Sequence, residues 1–249
     1  MNDDSKRRIV IIGASGGIGS ALLKLLIEHA EDMRITSIVA TYCSSTPREA
    51  VEHRSSSLVK WCKLDVRNIE QIAAFCENIS TLDWLINCVG ILHNDKNRPE
   101  KSVQRVDADF LLESFLVNTQ ASLFFAKSLS KKFNKRVPTI FLSVSAKVGS
   151  IEDNQLGGWY SYRVTKAALN MALKCLANEW RYSLPLMRVA AYHPGTTDTQ
   201  LSKPFQANVP SKQLISAEKS AACLYERLCN LHDFPSGKFW SWNGQTLPW

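Results

Sequence analysis

The chain has 249 residues, 45% of them hydrophobic, and a formal net charge of +7, a size that suits one α/β domain over residues 1–249 with a substantial core. No stretch reaches the ~18 apolar residues of a membrane span, and no apolar segment stands behind the charged Met1–Arg8. Seven cysteines without a C-x-x-C and five scattered histidines form no metal-ligand cluster, so the composition points to a soluble, cytoplasmic protein with reduced thiols and no metal.

The apolar, β-branched Ile9–Ile12 predicts a strand, and leucines at helical spacing over Leu22–Ala30 predict a helix. Strands are then expected at 37–42 and 58–64, a helix at 69–79, a strand at 84–87 and a long helix at 108–133. A strand at 139–143, a helix from Tyr162 to Tyr182, a strand at 188–192, a helix at 217–231 and a strand near 239–242 complete the series. Such alternation implies a Rossmann-type, doubly wound parallel sheet of about seven strands with helices on both faces. The irregular stretches 92–107, 146–158 and 196–215 each follow an apolar strand, where ligands of open α/β sheets bind, so they are expected to shape a pocket. The basic clusters Lys6-Arg7-Arg8 and Lys131–Arg136 raise the question of nucleic acid, but neither is interleaved with stacking aromatics. The second falls where the long helix ends, and its cations suit that helix's dipole, so no nucleic-acid partner is expected.

Two patterns about 140 residues apart carry the chemistry. Gly13-Ala14-Ser15-Gly16-Gly17-Ile18-Gly19 joins the first strand to the first helix. Residues without Cβ permit a tight turn and a close backbone approach to phosphate, and the helix N-terminus favours negative charge. A plain strand-to-helix connection is the other reading. Tyr162-Arg163-Val164-Thr165-Lys166 places a phenol and an ammonium four residues apart on one helix face. Tyrosine titrates near pH ~10, and a neighbouring cation lowers that value toward useful acid–base chemistry.

In sequence order, the glycine turn, Asp65-Val66, Leu85-Ile86-Asn87-Cys88-Val89-Gly90, Asn118, Ser143-Val144-Ser145, Tyr162 with Lys166, and Pro194-Gly195-Thr196-Thr197-Asp198-Thr199 resemble the short-chain dehydrogenase/reductase family over essentially the whole chain. The segments Gly157–Arg163, Ala167–Asn170 and Leu247–Trp249 are most like its C-factor and sniffer carbonyl-reductase branch. The resemblance implies hydride transfer between a nicotinamide and a carbonyl or alcohol carbon, with Tyr162 as acid/base. Lys166 would lower its pKa and contact the ribose, Ser145 would polarise the oxygen, and Asn118 would complete a proton relay through water. It further implies cofactor contacts from Gly13, Ser15, Gly17, Ile18 and Gly19, from Tyr42, and from Asp65 and Val66 around the adenine. Asn87, Val89 and Gly90 would border the cofactor, Pro194, Gly195 and Thr197 the nicotinamide, and Thr199 a phosphate. A homodimer or homotetramer is expected. The alternative is a dinucleotide-binding signalling or scaffold protein with little turnover.

The chain departs from the family pattern at two places. The family shows Ser-Ser-x-x-Gly with the second serine catalytic, whereas Ser145-Ala146-Lys147-Val148-Gly149 places alanine there, so Ser145 is the candidate and Ser143 the fallback. Cys88 stands where a second asparagine is usual. An acid about 20 residues beyond the glycine turn would hold the ribose hydroxyl of NAD and repel the phosphate of NADP. From Met33 to Arg48 there is none, while Tyr42-Cys43-Ser44-Ser45 offers hydroxyls with Arg48 nearby. The expected cofactor is therefore NADP rather than NAD.

Overall fold

A computed structural model describes residues 6–44, 57–210, 213–230 and 235–249. Strand β1 (Arg7–Ile12) leads into α1 (Gly17–Glu28), β2 (Ile35–Tyr42), β3 (Val59–Lys63), α2 (Ile69–Glu77) and β4 (Trp84–Asn87). There follow α3 (Ala108–Phe115), a π-helical turn (Leu116–Gln120), α4 (Ala121–Leu129), β5 (Thr139–Val144) and α5 (Tyr160–Ser183). The chain continues through β6 (Met187–His193), β7 (Thr196–Thr197), β8 (Leu214–Ile215), α6 (Ala217–Cys229) and β9 (Lys238–Ser241).

Seven strands form one parallel sheet in the order β3-β2-β1-β4-β5-β6-β9. The chain winds outward from β1 to β3, then returns to lay β4 on the other side of β1. That reversal opens a crevice at the carboxyl ends of β1 and β4, the general ligand position of such sheets. Alternate residues of each strand enter two cores. Val10, Ile12, Leu85, Phe141 and Val189 pack with Phe125 of α4 and Leu169, Leu173 and Trp180 of α5. Ile9, Ile11, Ile86, Leu142 and Tyr192 pack with Leu22 and Leu26 of α1 and Leu224 and Leu228 of α6. Burial on both faces explains why the strands read as continuous apolar runs. At the opposite end of the sheet, the buried Asp83 carboxylate accepts from Arg8 N, Nε and Nη2 at 2.8, 2.9 and 3.1 Å, stapling β1 to β4.

Three expectations are corrected. The long helix 108–133 is two α-helices flanking a π turn, and it ends at Leu129. Lys132 does not serve its own helix dipole: its Nζ donates to the carbonyls of Cys76 and Glu77 at 2.6 and 3.2 Å, satisfying the last turn of α2. The stretch 196–215 contains the parallel pair β7 and β8. Leu231, expected to end the last helix, lies outside the described residues. Among the described residues, no helix is long and apolar enough to cross a membrane.

Candidate active site

The glycine turn sits in the crevice. Gly13 has φ +77, and a methyl group there would stand 2.7 Å from Val89 Cγ2, so the turn after β1 meets the loop after β4 only because Gly13 lacks Cβ. Gly16 begins α1 without a side-chain cap, leaving the amides of Gly17, Ile18 and Gly19 without intrahelical acceptors beside the exposed Ser15. A methyl on Gly17 would lie 2.7 Å from Thr199 Cγ2, so the segment after β6 folds back over the same turn. There Thr197 Oγ1 donates to Pro194 O at 3.0 Å, with Gly195 at φ +79 between them. This cradle of bare backbone donors and absent Cβ atoms suits a dinucleotide pyrophosphate.

Asn87 closes the floor of the crevice. Its Nδ2 donates to Ser122 Oγ at 2.9 Å and its Oδ1 accepts from Val89 N at 3.0 Å. Cys88, in place of an amide, packs against the apolar core, and burial pushes its thiol up to about 12. Asp65 and Val66 follow β3, and Tyr42 ends β2 beside Trp61. The Asp65 carboxylate is engaged in a two-pronged pair with Arg67, 2.7 Å at its shortest, and Arg67 Nη1 also donates to Glu113 Oε1 at 3.1 Å. Arg67 holds Asp65 below the usual carboxylate range. Any adenine amino group must share that acceptor.

Asn118 occupies the π turn, 1% exposed. Its Oδ1 accepts from Ile91 N at 2.8 Å, and its Nδ2 donates to Ile91 O at 2.9 Å and Thr165 Oγ1 at 3.0 Å. The π turn thus turns one side chain out of the helix to stitch the β4 loop to α5, a frequent use of such insertions. Tyr162 and Lys166 lie one turn apart on α5, 9% and 2% exposed, with Nζ 5.8 Å from the phenol ring centre. Nζ donates to Val144 O at 2.9 Å. A methyl group on Gly90 would stand 3.3 Å from Nζ and 3.4 Å from Asn118 Oδ1, so Gly90 opens the space where Lys166 and Asn118 meet.

Burial dominates the electrostatics. It pulls Lys166 down to about 7 and pushes the Tyr162 phenol above its ordinary value. The expected lowering of the phenol by its lysine is therefore not what this site displays. With the ammonium itself desolvated and half neutral near pH 7, little positive charge is left to offset the phenol's own loss of solvent.

Neither candidate serine is free. Ser145 Oγ donates to Asn170 Oδ1 at 2.7 Å, and Ser143 Oγ lies 3.0 Å from Ser122 Oγ. Above Tyr162 stands an aromatic wall: Trp159 edge-on at 6.4 Å, Phe205 at 5.4 Å from Trp159, and His93 at 5.6 Å from Phe205. Arg98 donates to His93 Nδ1 at 3.2 Å, which leaves the ring proton on Nε2, a buried donor without a protein partner. Sequence reasoning missed Phe205, Arg67, Thr165 and Asn170. Phe205, Thr165 and Asn170 act on partners distant in sequence, and Arg67 pairs with both the adjacent Asp65 and the distant Glu113.

The short chain dehydrogenase family matches residues 7–210. The chain is similar to 1-hydroxy-2-glutathionyl-2-methyl-3-butene dehydrogenase of Rhodococcus sp. (strain AD45), 25% identical over 97% of this chain and 99% of that protein. It is also similar to benzil reductase ((S)-benzoin forming) of Bacillus cereus, 27% identical over 78% of this chain and 77% of that one. Among solved structures, carbonyl reductase Sniffer of D. melanogaster superposes with a TM-score of 0.83 at 22% identity, covering 98% of this chain and 100% of that one. The NADPH-bound carbonyl reductase from chicken fatty liver superposes with a TM-score of 0.81 at 24% identity, covering 98% and 99%. With the family match spanning residues 7–210 and so most of the sheet, the chain belongs to the short chain dehydrogenase family and is an oxidoreductase of CH–OH and C=O groups.

Proposed function

We propose that this protein reduces the carbonyl group of an apolar, aromatic ketone or aldehyde with NADPH, using Tyr162 as the proton donor. The observation that carries this reading is the meeting of Lys166 and Asn118 at Gly90, with the Tyr162 ring centre 5.8 Å from Lys166 Nζ. The bound nicotinamide supplies the hydride to the carbonyl carbon. Tyr162, protonated at neutral pH, gives its proton to the carbonyl oxygen. Lys166, one helix turn away, and Asn118 would return a proton to the phenol through water. Ser145 polarises the oxygen once its hydroxyl turns from Asn170.

The cofactor would rest its pyrophosphate on Ser15, Gly17, Ile18 and Gly19 and its adenine between Asp65 and Val66, with Gly13, Asn87, Val89 and Gly90 along one side. Pro194, Gly195, Thr197 and Thr199 would cover the nicotinamide end, and Lys166 would reach its ribose. NADP is favoured over NAD because no acid follows Tyr42 in β2, and the chicken carbonyl reductase was solved with NADPH; Arg48 lies outside the described residues.

The wall of Trp159, Phe205 and His93 supports an aromatic substrate, and the free His93 Nε2–H would meet an acceptor away from the reacting carbonyl. The similarity to a benzil reductase agrees with this. Turnover of an aryl diketone and of a short aliphatic ketone tests it. Phe205→Ala is expected to raise KM about tenfold for the diketone, the worth of one lost aromatic contact, and to leave the aliphatic ketone unaffected. Equal effects on both would refute the substrate class.

Exposed Leu112, Phe115, Leu123, Val164 and Met171 on α3, α4 and α5 form an apolar face suited to a homodimer or homotetramer. All seven cysteines carry free thiols, which fits a reducing, cytoplasmic setting.

A further inference from the structure

We infer that Glu100 is the residue that positions Tyr162, by capping the start of α5 from the loop after β4 and locking that loop to the acid/base. The inference rests on the reading of Tyr162 as proton donor. Helices α2, α3 and α6 each begin on a local cap, Asn68, Asp107 and Ser216, whose side chain accepts from an amide of the first turn. Helix α5 has none. Its cap position is Trp159, in the left-handed region at φ 51 with no side-chain cap bond, preceded by Gly157 and Gly158 at φ 64 and 65.

The missing acceptors come from Glu100, 61 residues back in the chain. Its carboxylate accepts from Ser161 N at 3.3 and 3.2 Å and from the Ser161 hydroxyl, and its backbone carbonyl accepts from Trp159 N at 2.5 Å. A methyl group on Gly158 would lie 3.2 Å from that carbonyl, so the reversal before α5 is fitted to Glu100. Glu100 is 3% exposed, and a buried carboxyl group of that kind is tolerated only with such donors to meet it.

A local cap ties a helix to its own preceding residue, whereas a remote one fixes two segments to each other. Here the second segment is the loop that also carries His93. The residues Glu100 grips, Trp159 and Ser161, flank Tyr162 within three positions, and the Trp159 ring packs on the Tyr162 ring. With Asn118 holding Ile91 at the start of the loop and Glu100 at its far side, wall and acid are set as one unit.

The test compares Glu100→Ala, Glu100→Gln and Ser161→Ala with the wild type in kcat, KM for an aryl diketone, NADPH affinity by fluorescence, and hydrogen exchange of the amides from 159 to 166. Glu100→Ala is expected to lower kcat between about 10- and 100-fold, the cost of misplacing a reacting group by about an ångström. NADPH affinity should hold while Ser161 exchanges faster. Glu100→Gln, which keeps an acceptor, recovers most of kcat, and Ser161→Ala falls between; these two decide the matter should Glu100→Ala not fold. An unchanged kcat in the variants, a kcat loss matched by an equal loss of NADPH affinity, or no advantage of Gln over Ala overturns the positioning role. Should the wild type reduce no carbonyl, the reading of Tyr162 fails separately. The Glu100 clamp is then judged by exchange alone, with unchanged protection at Ser161 overturning it.

Discussion

Replacing Lys166 with methionine is expected to stabilise the fold at pH 6 while abolishing turnover. Lysine ordinarily titrates at 10.5, and burial brings Lys166 to about 7. Between those values the unfolded chain holds a proton that the folded chain has lost, so stability rises with pH at up to about 1.36 kcal/mol per unit. The cost of burying the ammonium is therefore fully present below pH 7, where 10.5 less 7 gives 3.5 units or about 5 kcal/mol, and it is relieved toward pH 10.5. Methionine keeps the apolar stem and removes the charge. It forfeits the bond to Val144 O, worth about 1.5–3 kcal/mol for a charged donor, so the net gain at pH 6 is about 2–3 kcal/mol. The pH dependence is the sharper measure: about 2 kcal/mol of the difference between the two proteins should disappear from pH 6 to 8.5. His193, lowered from 6.5 to about 4, affects stability up to about pH 6.5 in both proteins alike and cancels in the difference. Cys76 and Cys88, pushed up by burial, act above it and are shared by both proteins. Urea unfolding of each protein across the window supplies the numbers. A difference that stays constant with pH would refute the assignment of a desolvated ammonium.

Two further substitutions probe the cradle and the π turn. Gly17→Ala places a methyl 2.7 Å from Thr199 Cγ2 and should weaken NADPH binding at least about tenfold. The gain in helix propensity, at most about 1 kcal/mol, opposes the crowding at Thr199, so the thermal midpoint should move by no more than about 4 °C. Fluorescence titration and a melt separate the two, and undiminished binding would deny that the turn meets the cofactor. Asn118→Ala strands Ile91 N–H and C=O in a buried site and should cost about 2–4 kcal/mol in urea unfolding. A loss under about 0.5 kcal/mol would show that the π turn is not held by these bonds.

The sheet and the pairing of Tyr162 with Lys166 were legible in the sequence because both depend on local periodicity. Continuous apolar runs separated by helical patterns define a parallel sheet, and a spacing of four residues puts Tyr162 and Lys166 on one face whatever surrounds them. Asn118 was visible as a polar residue amid helical apolar neighbours, although the π turn that carries it was not. What the sequence withheld was set by long-range packing. The pairing of Ser145 with Asn170, the reach of Arg67 to Glu113 and the capping of α2 by Lys132 all join segments that pattern cannot align. The direction of the Tyr162 shift was misread for the same reason: spacing reveals a neighbouring cation, whereas desolvation depends on everything packed around both groups.

The most direct test of the account is the rate at which the purified protein consumes NADPH, and separately NADH, in the presence of an aryl diketone, for the wild type and for Tyr162→Phe. Consumption with NADPH in preference to NADH, reduced at least about 10²-fold in the variant, is the predicted result for a positioned general acid. Undiminished turnover in Tyr162→Phe would contradict the assignment of Tyr162 as the proton donor.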